Sequence, residues 1–352
     1  MSVTVAAPRL RVLAQAIVAA GGSSPEEAAI VADNLVTANL SGHDSHGIGM
    51  LVSYVGDLKA GRIHPNRTPD VVLQSGCFAV WDAGMGYGHV AARRAMEWCI
   101  ATAKEHGVAI HGLRNSHHVA RVGTYGEMAA RAGLVSLQFV DAHAFTRSFV
   151  ATWRGREGRI STNPVCIAIP GTATNPPVIL DFATSAVAHG KVRVAYNSHK
   201  QAPEGSLISA TGKPTTDPAT LFEDPQGALM PFGAHKGSGL GLVCEILAGA
   251  IVGGGTVKGP FPTPLAITNS MLSIVFDPAR LGTAQSMGPE IDGLIAWVKS
   301  AAPADPALPI LVAGEPERLA RAEREKNGIV VDDTTWGQLR QIAADYGVPF
   351  PG

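Results

Sequence analysis

Cysteine is scarce in this chain of 352 residues. The four present, Cys77, Cys99, Cys166 and Cys244, lie far apart and form no C-x-x-C pair. A disulfide framework and a thiolate zinc site are therefore disfavoured, and scattered reduced thiols suit the cytoplasm. Long apolar runs are missing as well. The most apolar stretch, Leu240 to Val252, has about 13 residues and includes Glu245, whereas a membrane span needs about 20. Met1 to Arg11 carries no apolar segment of a secretory signal. Nor does charge of one sign dominate: 28 Lys and Arg face 29 Asp and Glu, for a net charge of −1. Without a basic block, nucleic acid and anionic membrane are poor partners. Neither H-E-x-x-H nor G-x-G-x-x-G occurs, which removes the commonest zinc and dinucleotide signatures.

What is present is core material. Hydrophobic residues make up 46% and charged residues 16%, so a large interior is expected and disorder is not. The length allows two or three compact units, since single cores stop growing near roughly 250–300 residues. Leu10 to Ala20 reads as a helix stopped at Gly21-Gly22. Ser24-Pro25-Glu26-Glu27 reads as a capping box, with Glu27 reaching back to Ser24. From about Val71, short apolar runs alternate with turns: Phe78–Trp81, Val108–His111, Leu134–Val140, Val165–Ile169, Val178–Leu180 and Leu272–Phe276. These read as strands, with helices at Ala91–Glu105 and Tyr125–Arg131 between them. Residues 196–231, rich in Pro, Gly, Thr and Asp, read as an excursion from that sheet. Helices return beyond Pro289, closing at Asn327-Gly328 and at Gly347. The expected layout is an α/β unit over 71–289, with a helical unit made from 1–70 and 290–352.

Histidine clusters carry the chemical signal. His43-Asp44-Ser45-His46-Gly47 and Asn115-Ser116-His117-His118-Val119-Ala120-Arg121 each stand at the mouth of an apolar element. Histidine titrates near operating pH and so suits the transfer of a proton to a carbonyl oxygen. Two other uses compete. Helix capping or buried polar pairing is the bland one. A metal site is the other, because His43 and His46 are three apart with Asp44 between them. Asp82 to Gly88 reads as a turn. His235-Lys236-Gly237-Ser238-Gly239 opens an apolar helix, whose free N–H groups and Lys236 suit a pyrophosphate. Asp181 ends a strand and suits either a hydroxyl contact or a cap on the next helix.

Taken in order, these motifs resemble a known family, the type-2 malate/L-lactate dehydrogenases, which include ureidoglycolate dehydrogenase, diketogulonate reductase and piperideine-carboxylate reductase. The resemblance covers essentially the whole chain. It is carried by Gly42 to Gly47, Asn115 to His118 with Gly123 and Tyr125, Thr162-Asn163-Pro164, Leu180 to Ser185, Pro214 to Pro218, His235-Lys236-Gly237 and Gly314 to Glu317. It is strongest with the hydroxycarboxylate dehydrogenase B branch, through Ser41 to Met50. It implies an α/β (α+β) fold with a nicotinamide-binding domain that is not Rossmann, built on a largely antiparallel or mixed sheet. It also implies a homodimer, no metal, and NAD or NADP as cofactor. The reaction implied is hydride transfer between NAD(P)H and a 2-oxo acid to give a 2-hydroxy acid.

The family's catalytic histidines fall on His46 and His118. Its cofactor contacts fall on His46, on Ala120, Arg121 and Val122, on Ile179, Leu180, Asp181, Phe182 and Ala183, on His235 with Lys236, on Asn269, and on Gly314, Glu315, Pro316 and Glu317. Three positions depart from its pattern. Met50 replaces a common Arg, which leaves Arg121 as the expected carboxylate partner beside an apolar Met50 wall. Ser161 replaces Gly before Thr-Asn-Pro, and Ala120 replaces a Gly after the histidines. A metal-dependent hydrolase or lyase, and a binding protein without catalysis, are the rival functions.

Overall fold

Seven strands make the central sheet, and their order shows why no parallel-sheet signature was legible. The computed structural model describes residues 2–143, 148–197, 199–258, 266–283 and 285–350. The chain begins with β1 (Ser2–Val5), α1 (Ala7–Ala20), α2 (Pro25–Leu40) and α3 (Met50–Lys59). There follow β2 (Asp70–Ser75), β3 (Phe78–Asp82), α4 (Gly88–His106), β4 (Val108–His117), α5 (Gly123–Arg131) and β5 (Val135–His143). Next come β6 (Val150–Ala151), β7 (Gly158–Ile160), β8 (Val165–Ile169), β9 (Val178–Phe182) and α6 (His189–Asn197). After β10 (Leu207–Ile208), β11 (Pro214–Thr215) and β12 (Ala228–Leu229), α7 (His235–Cys244) leads to β13 (Thr268–Phe276). The chain closes with α8 (Met287–Lys299), α9 (Glu315–Asn327), β14 (Ile329–Asp332) and α10 (Asp333–Asp345).

The large sheet runs β2-β3-β4-β13-β5-β8-β9. Only the β3–β4 pair is parallel; every other neighbour pair is antiparallel. The mixed, largely antiparallel sheet expected from the resemblance is therefore what the chain builds. Strands come out longer than their apolar runs. β4 continues through polar Arg114 and Asn115 to His117, because Thr268 and Asn269 of β13 pair with His117 and Ser116. Strands β10, β11 and β12 of the 196–231 segment join β6 and β7, which precede it, in a second sheet ordered β11-β10-β12-β6-β7, with a small core around Leu207, Leu221 and Leu229.

Buried apolar side chains form one cluster under α4 and α5 and another that joins the two chain ends. In the second, Leu10, Leu13 and Ile17 of α1 meet Ile329 and Val331 of β14 and Leu339 of α10, while β1 pairs antiparallel with β14. Burying such side chains contributes about 1.5–3 kcal/mol each. Helix α8 stands apart from that cluster, hydrogen-bonded through Asp292 to Thr172 and Asn175.

Two local expectations need correction. Ser24 caps α2 by accepting from the Glu27 N–H at 3.2 Å, but Glu27 does not reach back. Its carboxylate accepts from Ser23 Oγ at 2.7 Å and the Asn66 N–H at 2.8 Å, and the Ser24 N–H goes to Asn66 Oδ1 instead. A buried loop thus outcompetes the reciprocal cap. The apolar helix after Lys236 is not uniform either: α7 ends at Cys244 and continues as a π-helix over Glu245–Ile251.

Candidate active site

The turn that carries His46 is fixed by a side chain from the preceding helix. Asn39 Oδ1 accepts from the Ile48 N–H at 2.7 Å, and its Nδ2 donates to Asp44 Oδ1 at 2.7 Å. A Cβ on Gly47 would lie 2.2 Å from that amide oxygen, so only glycine fits there. Arg324 of α9 closes the turn with hydrogen bonds of 2.6 and 3.0 Å to the two Asp44 oxygens. His43 faces Glu317, with Nε2 to Oε1 at 3.2 Å. The three residues that suggested a metal site therefore point to separate partners. Among the described residues no group of three or more His, Cys, Asp or Glu side chains is placed to hold a metal ion.

His118 follows the end of β4. A Cβ on Gly88 would sit 2.2 and 2.4 Å from the carbonyl oxygens of His117 and His118, so α4 starts hard against this backbone. Asn269 of β13 accepts from the Val119 N–H at 2.9 Å and donates to the Asp141 carbonyl at 2.9 Å. Tyr125 donates to the Val119 carbonyl at 2.6 Å. Ala120 then takes φ +61°, in the left-handed region. That is the physical reason glycine suits this position.

These two supports bring His46 and His118 together, their rings stacked at 5.5 Å between centroids and 20° between planes. Ser45 Oγ lies 3.0 Å from His46 Nδ1, and Tyr54 Oη lies 2.7 Å from His118 Nδ1. Both Nε2 atoms are left without a protein partner among the described residues. Burial lowers the His46 pKa to about 4, with His43 and Arg121 adding repulsion. Burial likewise pushes His118 well below the ordinary histidine value, helped by His46, His89 and His117. In the free protein both rings are neutral at pH 7.

A second, charged group lies alongside. Arg121 is 2% exposed. Its Nη1 donates to Glu127 at 2.7 Å, and its Nε lies 3.5 Å from Asp181. Nε and Nη2 make no hydrogen bond to protein. Asp181 accepts from the Gly123 N–H at 2.8 Å, so it caps α5 rather than the helix that follows it in sequence. On the open edge of the sheet, the Ile179 N–H donates to the Ala313 carbonyl at 3.3 Å. With period-two alternation, the Asp181 backbone N–H and C=O also point outward there. Gly314, at φ +88°, packs against Ile179, and Arg318 holds the Pro177 carbonyl at 2.9 Å. The segments Ala120–Val122, Ile179–Ala183 and Gly314–Glu317 thus converge, with Glu317 beside His43. Glu315 pairs with Lys299 at 2.6 Å and also accepts from the Val312 N–H, which fixes the loop.

His235 and Lys236 open α7 and are exposed. Gly237 is pressed against the Thr184 carbonyl, which ties this helix start to the end of the Asp181–Ser185 segment. Met50 is the first residue of α3 and packs on the chain-end core. Arg154, another cation available to a substrate carboxylate in place of one at Met50, lies over the exposed Trp153 ring, and Arg147 lies outside the described residues. Sequence reasoning missed Tyr54, His89, Asp57 and Glu127 as parts of this region. A phenol inside an apolar helix was the available signal, since a buried hydroxyl needs a partner.

The site thus joins paired imidazoles to loops gathered at the open edge of a mixed sheet outside the doubly wound class. The chain belongs to the malate/L-lactate dehydrogenase family, whose model matches residues 5–340. It is 42% identical over 337 residues to hydroxycarboxylate dehydrogenase B of Escherichia coli (strain K12), covering 95% of this chain and 92% of that one. It is 36% identical over 342 residues to an L-lactate dehydrogenase of Cupriavidus necator, covering 97% of each. A solved E. coli structure assigned as a malate/lactate dehydrogenase superposes with a TM-score of 0.93 at 40% identity, covering 99% of this chain and 96% of that one. The protein is a 2-hydroxycarboxylate dehydrogenase, an oxidoreductase of 2-oxo and 2-hydroxy acids. Among the described residues no helix is long and apolar enough to cross a membrane.

Proposed function

We propose that His118 exchanges the proton with the substrate oxygen and that His46, stacked on it, positions that oxygen. The observation that carries this reading is geometric: each ring is tethered through Nδ1 and leaves Nε2 free. A neutral imidazole takes the proton of a 2-hydroxyl in the oxidative direction. In the reductive direction, a substrate carboxylate brought beside the rings favours the imidazolium and restores an acid. Arg121 is proposed as the carboxylate partner through Nε and Nη2.

The nicotinamide, when bound, supplies or accepts the hydride. The residues proposed to hold it are His46, Ala120–Val122, Ile179–Ala183, Asn269, His235, Lys236 and Gly314–Glu317. The outward Asp181 backbone offers a donor and an acceptor, and the α7 start with Lys236 suits a phosphate. NAD is the proposed cofactor, with NADP as the rival. A homodimer is proposed because large apolar side chains stand exposed on α7, its π-helical extension and α8, among them Ile251 at 66% and Trp297 at 76%. Unpaired cysteines support a cytoplasmic setting.

The test is NADH and NADPH oxidation across pyruvate, oxaloacetate, 2-oxoglutarate, phenylpyruvate and a cyclic imine acid, repeated with His118→Ala and His46→Asn. Each variant is expected to lower kcat by roughly 10²-fold or more. Near-wild-type kcat in both overturns the assignment.

A further inference from the structure

Behind the two site histidines lies a buried chain that the reading above does not use. Tyr54 of α3 is fully buried. Its hydroxyl lies 2.7 Å from His118 Nδ1 and 3.4 Å from Nε2 of His89 on α4, which is also fully buried. The Tyr54 ring packs edge-on against His89 and His117, with centroids 5.4 Å away in each case. The titratable groups facing His118 are His46 from the 44–46 turn, Tyr54 from α3, His89 from α4 and His117 from its own strand. Behind His46 stand His43 and Arg121. The nearby carboxylate, Asp57, is taken by His117 at 2.9 Å and Arg62 at 2.8 Å. His118 is therefore backed by a phenol and a second imidazole rather than by an acid.

We infer that Tyr54 and His89 are positioning residues that form a hydrogen-bonded relay behind His118, fixing its tautomer and stabilising its charged form. The inference rests on the assignment of His118 as the proton-exchanging residue. A phenol has one proton, so Tyr54 donates to one imidazole and accepts from the other. When His118 carries its proton on Nδ1, that N–H donates to Tyr54, the Tyr54 O–H donates to His89 Nε2, and His118 Nε2 is a free base. In the oxidative direction the substrate O–H bond breaks and an N–H bond forms at His118 Nε2. The His118 Nδ1–H keeps donating to Tyr54 Oη and the Tyr54 O–H to His89 Nε2, so the chain is polarised toward the new charge. The positive charge stays on His118, because full burial of His89 disfavours a charge there. Reduction runs the same transfer backward, and no further reactant is needed. Burial raises the Tyr54 pKa well above its ordinary value and lowers that of His89 to about 3. The phenol thus stays protonated and His89 stays neutral, an acceptor at the end of the chain.

Tyr54→Phe removes the one acceptor that the described residues offer the His118 Nδ1–H and so disfavours the imidazolium. The pH at which half of the reductive kcat is lost should move down by about one unit, the scale of one hydrogen bond to a charged group. At pH 7, kcat should fall about tenfold, with KM for the 2-oxo acid changed less than about twofold. His89→Leu should move the profile in the same direction by less, and His89→Gln, which keeps a polar group in the slot, should recover part of it. Imidazole ¹⁵N shifts should show His118 changing its tautomer ratio in Tyr54→Phe. Should Tyr54→Phe fold poorly, the two His89 variants carry the comparison. If both profiles and the His118 tautomer match wild type while His118→Ala has lost kcat, the relay is wrong. If His118→Ala itself retains kcat, the assignment beneath it is wrong, and the relay falls with it.

Discussion

Two adjoining regions of this molecule handle buried polarity in opposite ways. Around Tyr54 pack His89, His117 and His118, with His46 stacked on the last; the nearby carboxylate, Asp57, is shared by His117 and Arg62, and burial lowers the pKa of all four rings. Around Arg121, charges are kept and matched. Glu127 stays ionised despite burial because Arg121, Arg321 and Arg131 surround it, while Asp181 is pushed upward by burial against the pull of Arg121. On the proposed roles, neutral imidazoles exchange a proton at a free nitrogen, while the matched charges around Arg121 hold loops in place.

The largest way to probe this contrast is acid. His46, His89, His111 and His118 all have folded pKa values below the unfolded value of about 6.5. The unfolded chain therefore binds more protons below that pH, and stability falls as pH drops from about 6.5 toward 4. The slope is on the order of 1.4 kcal/mol per pH unit for each such histidine. Urea midpoints at pH 7 and pH 5 measure it, and equal midpoints contradict a neutral buried cluster.

The ionic region predicts a different response. Arg121→Met leaves Asp181 buried without its cation and Glu127 without its nearest one, a loss of about 3–5 kcal/mol, visible as a lower melting temperature at pH 7. If Arg121 serves the substrate carboxylate alone, KM rises and the melting temperature stays put.

Met50 sharpens the boundary between the regions. With an apolar residue four positions past His46, phenylpyruvate should exceed oxaloacetate in kcat/KM, and Met50→Arg should reverse the ratio by about tenfold, one desolvated charge contact. An unchanged ratio means that Met50 belongs to the chain-end core on which it packs.

The smallest effect is expected at Ala120. Replacing it by Gly relieves left-handed strain of roughly 1–2 kcal/mol but adds unfolded-state entropy of about 0.5–1 kcal/mol. A rise of about a degree or two in melting temperature is expected, and a fall would mean that the methyl group packs usefully.

The sheet was legible because its strands are short apolar runs bounded by turns, and the helix ends at Gly328 and Gly347 could be read from glycine alone. Strand order was not legible, since pairing β4 with β13 joins residues more than 150 apart and leaves no local mark. In the site, His46 and His118 stood out as clustered imidazoles. Their supports did not: Asn39 looks like any helical asparagine, and Arg324 lies 280 residues from Asp44. His89 was hidden because a lone histidine at a helix start reads as a cap, and only the fold sets it against Tyr54.

The pairing of β1 with β14 has a consequence for synthesis. Strand β1 leaves the ribosome more than 320 residues ahead of its partner β14, and the turn bearing His46 waits for Arg324 before it is closed. At about 5–20 residues per second, the apolar face of the amino-terminal helices stays uncovered for on the order of tens of seconds. A shielding chaperone should therefore matter most for nascent chains stalled short of residue 329, and none of those chains should yet turn over substrate.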